Sequence, residues 1–213
     1  MEIDKNEVLR YLGYRGKPAD TAVQNQIAGC IAELEACTSA HSLSLTFPVL
    51  FEPDAVTVGG VKINSRDLRQ HIDGCTEAVI FAATLGPQAD LLLHRYSKID
   101  MSRTVILQAC AATMIESYCD DCGNTLAKEA KPRGLYLRPR YSPGYGDFSI
   151  THQADLLRML DSQKKIGLTI TDSFMLAPSK SVTAVIGLTA NTKSCHIAKC
   201  MDCKSINCPF RKG

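Results

Sequence analysis

Residues 41–64 read "HSLSLTFPVLFEPDAVTVGGVKIN", and this stretch decides the fold class. From His41 to Phe51 polar and apolar residues partly alternate, the pattern of a strand with one buried face. Residues 55–64 resemble two shorter strands turning at Gly59-Gly60, a pair that tolerates the positive φ angles of a tight hairpin. A parallel partner needs a crossover of a dozen residues or more, so strands this close in sequence are expected to pair antiparallel. A second such region follows at 167–190, where "GLTITDSFML" and "SVTAVIGLTA" are joined by "APSK". Helical segments lie between the two regions. The expectation is an α+β fold with a mixed, mainly antiparallel sheet and flanking helices, not a doubly wound parallel sheet.

Working outward, Asp4 and Glu7 read as a capping box opening a short helix that Gly13 ends. A helix is expected from Asp20 to Cys37, with Ile27, Ile31 and Leu34 on one face. Ser65 caps a short helix through His71, and Gly74 closes it. "EAVIFAATLG" at 77–86 is a strand buried on both faces, leading to a helix over Gln88–Tyr96. Further helices are expected at Ser102–Ala130 and near Thr151–Asp161. No repeat or linker interrupts the chain before residue 190, so residues 1–190 read as one domain and 191–213 as a cysteine-rich tail.

The 213 residues are 45% apolar and carry a net charge of +2, enough for a core and too balanced for a dedicated nucleic-acid binder. The longest apolar runs fall far short of the roughly 20 residues that cross a bilayer. The start "MEIDKNEVLR" has no secretory pattern, so a cytoplasmic protein with reduced thiols is expected.

Residues 138–147 read "RPRYSPGYGD". Pro139 and Pro143 fix φ and restrict Arg138 and Ser142, which makes the stretch stiff without regular secondary structure. Gly144 lets the chain turn or approach a ligand closely. Arg140 offers a planar fork for a carboxylate or phosphate, and Tyr141 and Tyr145 offer flat faces and hydroxyls. A small ligand with a planar ring and an anionic end fits this set. The alternative is a proline-braced turn whose arginine pairs with a surface acid.

"RYSPGYGD", followed by "LLRML" and then "KKIGLTITDSFMLAPSKSVTAVIGL" up to residue 188, resembles the reactivation domain of cobalamin-dependent methionine synthase. The resemblance covers roughly residues 110–190, and "RYLGYRG" near the N-terminus is similar to short free-standing members. It implies an α+β fold that binds S-adenosylmethionine in a shallow groove. It implies methylation of cobalamin oxidised to the inactive cob(II) form, with one electron from a flavodoxin or ferredoxin. Carried over, Arg140 holds the methionine carboxylate, and the backbone around Ser142 and Gly144 meets the adenine or its sugar. Tyr145 lies beside the ligand where the corrin docks, the candidate catalytic residue. Glu116 matches a glutamate lining the family's groove, or is simply an acid on a solvated helix face. The family carries a tyrosine pair after its last strand, and Ser194 and Cys195 stand there in this chain. A family aspartate from the N-terminal half has no match. The chain has no "DxHxxG" cobalamin segment, no homocysteine-binding zinc module and no folate module, so the resemblance implies cobalamin held by a separate methyltransferase protein.

The tail "CHIAKCMDCKSINC" spaces Cys195, Cys200, Cys203 and Cys208 as a CxxC flanked by two more thiols. Four thiolates suit Zn²⁺ or an iron–sulfur cluster, and spacing alone does not separate them. His196 is an alternative ligand to Cys195. A different class of reading is therefore a non-catalytic metal-binding interaction module with this tail as its functional end. Cys30, Cys37, Cys75 and Cys110 read as small buried hydrophobes, and Cys119 and Cys122 as core or incidental.

Overall fold

The computed structural model describes residues 3–14 and 17–191. The hairpin at Gly59-Gly60 forms as expected: β2 (Val56–Val58) pairs with β3 (Val61–Ile63), and the two glycines take φ of +56° and +83°. β1 (His41–Phe51) joins β2 through Val49–Phe51 and runs antiparallel to β4 (Glu77–Thr84) through His41–Pro48. β8 (Ser181–Thr189) lies antiparallel on the other side of β4, and β5 (Tyr136–Leu137) ends the sheet. The order is β3-β2-β1-β4-β8-β5, and every neighbouring pair is antiparallel. The α+β expectation holds.

One local expectation is corrected. The runs at 167–176 and 181–190 do not pair with each other. The first folds back on itself as β6 (Thr169–Ile170) and β7 (Leu176–Ala177), a separate two-stranded ribbon. The second becomes β8 and crosses to β4, about a hundred residues earlier in the chain, because it is buried on both faces, with Ala184, Ile186 and Leu188 in one core and Val185 in the other. Burial on both sides of a central strand outweighs the short connection.

β4 shows why the sheet needs two covering layers. Val79, Phe81 and Ala83 join one core with α1 (Lys5–Tyr11), α2 (Thr21–Cys37), α4 (Pro87–Ile99) and α5 (Met101–Ala130). Ala78, Ile80 and Ala82 join the other, with α3 (Arg66–His71) and α6 (Gln153–Leu160). The period of two sends alternate residues to opposite faces, so a strand covered twice reads as unbroken apolar sequence. Truncating a fully buried leucine such as Leu107 in the first core or Leu156 in the second costs about 2–5 kcal/mol.

Helix starts follow their caps. Asp20 accepts from the Val23 N–H at 2.8 Å, Ser65 from Leu68 at 2.9 Å and Asp100 from Arg103 at 2.9 Å. Asp4 caps α1 through the Asn6 N–H, while Glu7 pairs with Arg10. The helix expected near 151–161 is a 3-10 turn at Ile150–His152, then α6, then α7 (Ser162–Ile166), parted by Asp161 at φ +51°.

Candidate functional site

The rigid stretch after β5 is less detached from the sheet than its prolines suggest. Arg138 donates its N–H to Gly187 at 2.8 Å, and Tyr141 exchanges both backbone hydrogen bonds with Val185, at 3.0 and 2.9 Å. Only beyond Tyr141 does the chain leave β8. Ser142-Pro143 steps away, Gly144 takes φ +95°, and a turn closes with Gly144 N–H on Phe148 O at 2.7 Å. Ser181–Ala184 of β8 therefore have no strand partner on that side among the described residues.

Three sets of contacts hold this loop. Asp147 sits on the N-terminus of α3, accepting from the Ser65 hydroxyl at 2.5 Å and from the Arg66 and Asp67 N–H groups at 2.8 and 3.2 Å. The Ser65 bond, followed by the two backbone donors, lowers the Asp147 carboxyl below its ordinary value. Asp67 returns a bond to the Asp147 N–H at 3.1 Å, so close that a Cβ on Gly146 would lie 2.0 Å from its oxygen. Last, the Tyr141 ring stacks on buried Phe148 with centroids 6.3 Å apart and packs against His71 at 4.8 Å. His71 Nε2 also donates to Pro139 O at 2.8 Å. Tyr145 meets the Tyr141 ring edge-on at 5.7 Å, with half of its own surface exposed.

Between the loop, α5 and the open edge of β8 lies a groove of about 200 Å³. This is below the roughly 300 Å³ at which enclosed ligand sites begin, so an occupant lies along it partly in solvent. Glu116, Arg140, Ser142 and Tyr145 all line it. Gly144 shapes the turn behind it and is not among the lining residues.

Arg140 pairs with surface acids, as the alternative reading of the loop expects. Its Nη2 donates to Glu116 Oε2 at 2.7 Å and its Nη1 to Asp120 Oδ1 at 2.8 Å, both from α5. The arginine side chain is only 19% exposed, whereas Glu116 and Asp120 are 48% and 71% exposed. Burial disfavours its charge, yet Cys119, Glu116 and Asp120 together hold its pKa above the ordinary arginine value. Carboxylates this wet contribute at most about 1 kcal/mol each. They hold the guanidinium in position and can yield it to a competing carboxylate.

Sequence reasoning placed four of the lining residues in the site, named a fifth, Pro143, as the brace of the loop, and missed the other five. Gln153, Leu176, Ser181, Val182 and Thr183 complete the groove, from α6, β7 and β8. Ser181 and Val182 stand inside the ordered pattern that carried the family resemblance, which was the available signal. Asp120, one turn beyond Glu116, was readable as a second acid on the same helix face. Ser194 and Cys195, the tail thiols Cys200, Cys203 and Cys208, and His196 lie outside the described residues. Among the described residues no group of three or more metal-ligating side chains gathers. Cys30, Cys75, Cys110 and Cys119 are buried, Cys37 and Cys122 partly so, and burial pushes the Cys110 and Cys119 thiols up to about 12. No helix among the described residues is long and apolar enough to cross a membrane.

The architecture is that of an α+β domain whose open groove carries one paired, mostly buried arginine and one exposed tyrosine. The chain belongs to the family of the vitamin B12-dependent methionine synthase activation domain, whose sequence profile matches residues 68–207. A crystal structure of the MetH reactivation domain bound to AdoHcy has the same fold, with a TM-score of 0.63 at 14% identity. The superposition covers 91% of this chain and 78% of that one. No curated protein matches the chain.

Proposed function

We propose that this chain binds S-adenosylmethionine in the groove and methylates cobalamin carried by a separate corrinoid methyltransferase, with one electron from a flavodoxin or ferredoxin. The observation that carries the reading is the meeting of Arg140, Ser142, Tyr145 and Glu116 on one groove. They come from a loop and a helix separated by a strand in the chain, and all four lie within the stretch that the family's profile matches. The solved relative bound to AdoHcy supports the ligand class.

The division of labour follows from the side chains. Arg140 takes the ligand carboxylate with its fork, giving up its bonds to Glu116 and Asp120. The Ser142–Gly144 backbone, stiffened by Pro143, lies against the nucleoside. Tyr145 stands at the exposed mouth, where a corrin would approach. When bound, the corrin supplies the cobalt that accepts the methyl group as the sulfonium becomes a thioether, and the external electron balances the step. The protein contributes proximity and orientation, so no general base is needed. The tail thiols Cys195, Cys200, Cys203 and Cys208 are proposed to hold Zn²⁺ or an iron–sulfur cluster, on their spacing alone.

Titration calorimetry with S-adenosylmethionine tests the reading. Saturable binding that Arg140→Ala abolishes supports it. An unchanged affinity in that variant removes the groove from consideration.

A further inference from the structure

Gln153 is a polar side chain 93% buried that none of the roles above employs; it is 7% exposed and lines the groove. It opens α6, on the face of the sheet opposite α5. Its Oε1 receives the hydroxyl of Thr183, itself 3% exposed, at 3.5 Å. Among the described residues that is the only hydrogen bond its side chain makes. Its Nε2 has no protein partner among them and is not sealed in the core, so it keeps contact with solvent although the residue as a whole is buried. The Thr183 hydroxyl favours the orientation in which Oε1 accepts, which leaves Nε2 as the open donor of a residue that lines the groove.

Its position says which part of an occupant it meets. Arg140 is tied to α5 on one side of the β8 edge, and Gln153 arrives from α6 on the other. An elongated ligand lying across that edge presents its anionic end to the arginine and its far end to the amide. We propose that Gln153 is a specificity-determining residue, donating a hydrogen bond from Nε2 to an acceptor on the nucleoside half of the ligand, with Thr183 holding the amide in the donating orientation. This rests on the reading of the groove as an S-adenosylmethionine site.

The test compares two ligands by calorimetry: S-adenosylmethionine, and 5′-methylthioadenosine, which keeps the nucleoside and lacks the amino-acid arm. Gln153→Leu removes the donor. Gln153→Glu keeps the shape, still accepts from Thr183 and replaces the donor with an acceptor, and a negative charge at the start of α6 favours the helix and offsets part of the cost of burying it. Thermal melting checks this. Both variants should weaken both ligands on the order of tenfold, whereas Arg140→Ala should weaken only S-adenosylmethionine. Wild-type affinity in Gln153→Glu, or a loss confined to S-adenosylmethionine, overturns the assignment. Failure of both ligands to bind the wild-type chain overturns the S-adenosylmethionine reading, and the inference with it. That outcome is told apart because it appears before any substitution is made.

Discussion

Arg140 donates to Glu116 across 2.7 Å while the acid remains half in water. A buried cation held by wet anions is positioned without being tightly bound, which suits the proposed capture of a ligand carboxylate. Arg140→Lys keeps the charge and loses the fork. S-adenosylmethionine affinity should fall roughly 10- to 150-fold, the equivalent of about 1.5–3 kcal/mol for a charge-assisted hydrogen bond. Titration calorimetry reads it, and equal affinities would remove Arg140 from the site.

Asp120 is 71% exposed and, in the proposed complex, would compete with the ligand for the same guanidinium. Asp120→Asn should tighten binding by up to about fivefold, since an exposed pair holds at most about 1 kcal/mol. Weaker binding would mean that Asp120 touches the ligand directly.

Tyr145 and Phe148 divide the loop between function and support. Tyr145 is half exposed at the groove, so Tyr145→Phe should leave the melting temperature nearly unchanged and alter the rate of cobalamin methylation. Phe148 is 1% exposed under the Tyr141 ring, and Phe148→Ala should cost about 3–5 kcal/mol. A stable Phe148→Ala protein with full ligand affinity would show that the loop needs no such anchor.

The Asp147 contacts carry a pH signature. Its carboxyl is lowered in the folded chain, first by Ser65. Its stabilisation is therefore fully present above the ordinary carboxylate range and disappears as pH falls through the lowered value. Melting curves of wild type and Asp147→Asn should differ at neutral pH and converge in acid. A gap that widens on acidification contradicts the assignment.

The tail is tested by composition. Iron with sulfide in anaerobically purified protein would indicate a cluster able to relay the electron, and zinc would indicate a structural site. Cys110 and Cys119 are internal controls, because thiols pushed up to about 12 should resist alkylation at pH 8 while the protein is folded. Neither metal near stoichiometry, with the tail thiols freely alkylated, ends the metal proposal.

What was legible in the sequence was what is encoded locally. The cap at Ser65, the Gly59-Gly60 turn and the double-faced strand at 77–84 are each decided by neighbours in the chain, and each was read. Arg140, Ser142 and Tyr145 were found together because one loop carries them. Gln153 and Thr183 were not, since an interior glutamine and an interior strand threonine look like ordinary polar punctuation until the fold joins them. The pairing of β8 failed for the same reason: its partner β4 lies a hundred residues away, and only shared burial selects it.

None of the residues lining the groove comes from α1, α2 or α4. Those helices pack against the inner face of α5, and α4 also holds the segment before β8, where Asp90 accepts from Ser179. Inherited changes should divide accordingly. Lesions in the helical layer should behave as temperature-sensitive alleles, lowering the amount of folded protein while each surviving molecule binds normally. Lesions at Arg140, Ser142 or Tyr145 should persist at full abundance and change the ligand concentration a cell needs, a defect that added S-adenosylmethionine offsets and cooling does not.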